Sequence, residues 1–102
     1  RAGFVNSFAG VVAATNNKNV SFKLFKGTPS DNSSTGIDLT QLGATTTETG
    51  GGNSTVDLFG MGSLGSSATF AAGDVLIVTI AAGNTDSTTA RFNGTIEVVY
   101  TE

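Results

Sequence analysis

The run Gly60-Met61-Gly62-Ser63-Leu64-Gly65 is a literal G-x-G-x-x-G. It follows a strand-like stretch, and Asp86 comes about 20 residues later, where a dinucleotide site wants an acid for the ribose. That chemistry needs a helix after the glycines, whose N-terminal amides hold the pyrophosphate. Here Ser66-Ser67-Ala68-Thr69-Phe70 follows, then a Gly-Asp turn, then another strand. No βαβ unit fits, so the run reads as a flexible turn between strands.

Eight acids are present, and none sits in a D-x-D-x-D calcium loop. Two of them could still converge in space as a glycosidase pair, which spacing alone leaves open. The chain has no His, Cys or Trp. It therefore lacks the commonest base, the thiolate nucleophile, Cys-ligated zinc and the best sugar platform. The expectation is a protein that is not an enzyme, with no catalytic residues, no cofactor and no metal. Asp74, in Ala72-Gly73-Asp74, has a structural role open to it: a turn carboxylate that accepts from nearby backbone N–H groups. Four N-x-S/T sequons, at Asn19, Asn32, Asn53 and Asn93, are what chance supplies in a chain rich in Asn, Ser and Thr.

The net charge is −3 and no basic run occurs, which argues against nucleic acid, where Lys and Arg must neutralise phosphates. Lys23 and Lys26 are two points rather than a patch, and lysines suit a guarded strand edge. No apolar run approaches the length of a membrane helix. Arg1-Ala2-Gly3-Phe4 opens with neither Met nor a signal peptide, so a chain processed, truncated or excised from something longer is expected.

At 102 residues the chain makes one domain with a modest core. Leu, Ile, Val and Phe are about a quarter of it, enough to fold. Charged residues are only 13%, and Thr, Ser, Gly and Asn fill the surface. Such a surface suits an extracellular or particle-bound module.

The elements that would carry these residues are strands. No helical periodicity is found, and short apolar runs are punctuated by turn residues every 8 to 12 positions or so, as in a β-sandwich or barrel. Residues 1–18 are expected to hold an arm and a first strand, Phe8–Thr15, and 19–102 the sandwich proper. Asn19–Lys26 alternates cleanly, with Val20, Phe22 and Leu24 on one face and Ser21 and Lys23 on the other; Phe25 falls on the polar face. Gly36–Leu42 reads as a strand with Ile37 and Leu39 inward. Gly43–Ser54 reads as a loop or a weak edge strand around Thr45–Thr47. Thr55–Phe59 reads as a short strand with Val56 and Leu58 on one face.

Phe70–Tyr100 reads as a hairpin and the organising element. In Ala90–Tyr100 one face carries Phe92, Ile96, Val98 and Tyr100, and the other Arg91, Asn93, Thr95 and Glu97, the pattern of a strand with one wet face. In Gly73–Ile80 both faces are apolar: Leu76, Val78 and Ile80 on one, Val75, Ile77 and Thr79 on the other. That strand is either central in its own chain or faces another subunit. Phe25 and Val99, on otherwise polar faces, point the same way. Phe25, Val75, Ile77 and Val99 are the expected subunit interface.

NVSFKLFKG at Asn19–Gly27, FAAGDVLIVTI at Phe70–Ile80 and ARFNGTIEVVY at Ala90–Tyr100 together resemble the small knob domains of tailed-phage structural proteins: capsid decoration (cement) proteins, head fibres and tail-fibre tips. The resemblance covers most of the chain from Asn19. It implies an antiparallel β-sandwich of jelly-roll type with about eight short strands and no substantial helix. It further implies a homotrimer on the virion surface, held to the major capsid protein or another virion protein. No collagen-like or coiled-coil stalk is present, which favours decoration of a capsid over a fibre tip. The alternative is a glycan-binding or adhesin module on a virion or bacterial surface, for which Tyr100, Phe59 and the Asn84–Thr89 loop are the candidate sugar contacts.

Overall fold

A computed structural model describes residues 1–15, 17–29, 39–52, 55–62, 64–82 and 90–101. The described residues form seven strands and no helix. They are β1 (Gly3–Ala14), β2 (Asn19–Gly27), β3 (Leu39–Thr49), β4 (Asp57–Gly60), β5 (Thr69–Phe70), β6 (Val75–Ala82) and β7 (Ala90–Tyr100). Their pairings are all antiparallel and make two sheets.

In the first sheet β1 is central. β7 runs along one side of it, from Gly3↔Tyr100 to Ala14↔Ala90. β4 and β5 lie end to end on the other side, at Ala9–Val12 and Gly3–Phe4. The second sheet has the order β3-β2-β6. Central strands must hide one whole face, and both do: Val5, Phe8 and Val12 of β1 join Val20, Phe22 and Leu24 of β2 in one buried cluster. Phe22 of the second sheet stacks on Phe59 of the first, so the sheets face each other across that cluster.

The expected Phe70–Tyr100 hairpin does not form. β6 pairs with β2, and β7 pairs with β1 in the other sheet. Each strand has a partner of nearly its own length. The 11 residues of β7 find a full-length partner in the 12 of β1, and the eight of β6 fit the nine of β2. The seven residues between Ala82 and Ala90 are enough chain to step across a sheet spacing of about 10 Å. Among the described residues β6 is thus an edge strand rather than a central one.

One open reading is resolved and two change. Of the loop and the edge strand expected around Thr45–Thr47, the strand forms, as part of the 11-residue β3 at the side of its sheet. Leu39 points outward, because it pairs with Gly27 while Leu42 pairs with the buried Leu24. Ile37 lies outside the described residues. In β4 the large ring decides the facing: Phe59 goes into the core, and Val56 and Leu58 are left 62% and 78% exposed.

The turn before β6 is built as its sequence suggests. Gly73 takes φ +89°, a conformation only glycine adopts at no cost. Asp74 Oδ2 accepts from Ala71 N–H at 2.9 Å, and Asp74 N–H donates to Ala71 O at 3.1 Å.

Candidate functional site

Alternation along β2 and β6 carries three of the four expected interface residues to one place. Phe25 lies opposite Ile77, and Val75 lies opposite Gly27, two positions further along the pair. Phe22 and Leu24 point into the core, and the positions that alternate with Leu24 point out. Phe25, Ile77 and Val75 therefore project from the outer face of the β3-β2-β6 sheet. Leu39 joins them across β2, beside Gly27. Val75 is 43% exposed and Leu39 44%. The four side chains make an apolar patch at one end of this face. The other end is polar: Ser21 and Thr47 share a hydroxyl hydrogen bond of 3.0 Å, and Thr49 Oγ1 donates to Asn19 Oδ1 at 2.9 Å.

Val99, the fourth expected residue, is not part of this patch. It pairs with Phe4 on the outer face of the opposite sheet. That sheet has an apolar area of its own, made by Val11, Ala13, Val56 and Leu58. Beside it lies an open groove of about 310 Å³, lined by Val11, Val12, Ala13, Val56, Arg91, Phe92 and Asn93. Val56 and Leu58 are hard to place from sequence, because theirs is the wholly apolar alternate set while the buried one pairs Phe59 with Asp57.

The other candidates scatter. Phe59 is buried and cannot serve as a sugar platform. Tyr100 is exposed, and the Arg1 guanidinium lies 5.3 Å from its ring centre. The Asn84–Thr89 loop, Asp86, Asn32 and Asn53 lie outside the described residues. Asn19 is engaged by Thr49, and Asn93 sits on the groove. In the glycine-rich run, Met61 N–H donates to Phe8 O and Gly65 N–H to Val5 O, both at 2.9 Å. Those amides are spent on β1 and face no phosphate site.

Among the acids, Glu97 accepts from Asn6 Nδ2 on the outer face of the first sheet. Asp57 lies opposite Val12 on the inward side of β4, and its Oδ2 is shut off from solvent with no hydrogen-bond partner among the described residues. Asp74 accepts from Ala71 N–H and from Thr28 Oγ1, and Lys26 adds an attractive charge; together they hold its carboxyl below the ordinary value of 3.8. Among the described residues no three His, Cys, Asp or Glu side chains gather as a metal site. Comparison with protein-family models, curated proteins and solved structures returned no match.

Proposed function

We propose that this chain is a non-enzymatic structural protein of a phage particle: a small trimeric β-sandwich of jelly-roll type that decorates or stabilises the capsid, or forms a fibre knob, on the virion surface. The observation that carries the reading is the outward cluster of Phe25, Leu39, Val75 and Ile77 on a sheet whose core is already filled from its other face. Exposed apolar area of this kind gains roughly 25 cal/mol per Å² when a neighbouring subunit covers it. The particle and the threefold stoichiometry in this proposal rest on the resemblance of Asn19–Gly27, Phe70–Ile80 and Ala90–Tyr100 to phage knob domains. Native mass measurement of the intact chain tests it, with subunits in multiples of three expected. A chain that stays monomeric at high concentration sinks the reading.

A second reading, a glycan-binding module, has the groove on the first sheet in its favour. There Val11, Ala13 and Val56 give an apolar floor beside Arg91 and Asn93, which can donate to sugar hydroxyls. Binding on a glycan array, lost on Arg91→Ala, supports this reading, and an empty array removes it.

A further inference from the structure

The sheets leave four kinds of edge, and three are guarded. β4 and β5 are four and two residues long. β3 breaks register opposite Phe22–Leu24 and carries Gln41 and Glu48. β7 carries Arg91, Asn93 and Glu97. Short strands, irregularities and charges are how folded proteins keep edges from pairing. β6 has none of these. Its sequence, VLIVTIAA, holds no charge and no proline, and its register with β2 runs without a break from Val75 to Ala82. Among the described residues no strand pairs with its other side.

We propose that β6 pairs edge to edge with β6 of a second copy of this chain, antiparallel about a two-fold axis at Val78, joining two three-stranded sheets into one of six strands. The strand is its own complement. In that register Leu76 meets the second copy's position 80, Ile77 its position 79 and Val75 its position 81, so each side chain faces an uncharged one on the same side of the sheet. No other edge among the described residues offers so uniform a match. A second feature fits the same occupant. Ile80 and Phe92 point to the inner side of their sheets, yet are 39% and 45% exposed. They lie in β6 and β7, the outer strands of the two facing sheets. A second copy brought up to β6 carries the same two strands with it and closes the core over these residues.

This contact lies in the plane of the sheet and is separate from the outer-face patch invoked for the trimer, so the two fail separately. The test is native mass measurement of the full chain, alone and as Thr79→Lys, which sets a charge on the edge beyond the Phe25 patch, opposite Lys23. Dimers or hexamers are expected for the parent, with dissociation at least about tenfold easier in the variant. Since the chain has no cysteine, Val78→Cys adds a clean probe. Opposed Cα atoms about 4.5–5.5 Å apart are within disulfide reach, so mild oxidation gives a covalent dimer that Thr47→Cys does not. Only monomers or trimers in the parent, even-numbered species unmoved by Thr79→Lys, or no selective cross-link at Val78→Cys overturns the proposal. Circular dichroism shows whether each variant is folded.

Discussion

Phe22 and Phe59 stack face to face across the two sheets, with ring centres 4.2 Å apart and planes 7° from parallel. Phe8 leans on Phe59 at 5.3 Å and Phe92 meets the edge of Phe22 at 5.8 Å. One ring of the stack comes from the central strand β2 and the other from the four-residue strand β4. A strand so short holds few ladder bonds, so its attachment depends on the ring it inserts.

Phe59→Ala should therefore cost about 3–5 kcal/mol by urea unfolding, a large share of the stability of a domain this size. Phe22→Ala should cost a similar amount. The double variant should lose less than the sum, with a coupling of about 0.5–1.5 kcal/mol for the ring pair. Strict additivity would show that the stack adds nothing beyond area.

Gly10 and Gly94 face each other where β1 and β7 pair. A Cβ on Gly10 would run into Asn93 O and lie 2.6 Å from Gly94 Cα, so backbone must move. Gly10→Ala should cost about 1–3 kcal/mol or more. Gly60→Ala, where a Cβ meets nothing within 4 Å, should stay within about 0.5 kcal/mol of the parent. Equal thermal shifts for the two would contradict the close approach.

The strands and their inner faces are legible in the sequence where one alternate set is plainly apolar. Val20, Phe22 and Leu24 are buried as their alternation predicts, and Ile96 and Val98 pack against the core. Pairing is less legible, because neighbours in sequence need not be neighbours in a sheet: β6 and β7 part company over a polar connection whose composition suits a turn back or a crossing equally. Facing is ambiguous where each set holds a large apolar side chain. Val56 and Leu58 lose the core to Phe59, and Leu39 loses it to Leu42, since bulk and register decide between them. That Val75 and Ile77 share one face is legible from parity alone, whereas their meeting with Phe25 and the separation of Val99 need the sheet assignment.

Asp74 sets a pH dependence whose sign is fixed by its partners. The folded state holds its carboxyl below 3.8, so the stabilisation is present at neutral pH and is lost as pH falls below 3.8 through the lowered value. Asp74→Asn should be less stable than the parent at pH 7, and the gap should close in that acid window. A gap that persists unchanged at the lowest pH would assign the effect to turn geometry rather than to charge.

Asp57 Oδ2 is buried without a partner among the described residues, opposite Val12. An unsatisfied buried oxygen costs about 1–3 kcal/mol. Asp57→Val, similar in size and favoured in a strand, should raise the unfolding midpoint, with a gain of about 1 kcal/mol. A loss would mean that the carboxylate is satisfied in solution.

Lys26 joins the sheets at the end away from Asp57. Its Nζ donates to Thr69 O at 2.7 Å, from β2 to β5 of the facing sheet. The same ammonium adds an attractive charge to Asp74, whose Oδ1 accepts from Thr28 Oγ1 at 3.0 Å. Lys26→Met keeps most of the packed stem and removes both effects, and loss of the Thr69 hydrogen bond alone should cost about 1 kcal/mol. It should also raise the Asp74 titration toward 3.8, which carboxyl NMR titration reads directly. Lys26→Ala should cost more, because the stem goes too. If Lys26→Met lowers stability but leaves the Asp74 titration where it was, the lysine acts through Thr69 alone, and the turn before β6 is held by Ala71 and Thr28.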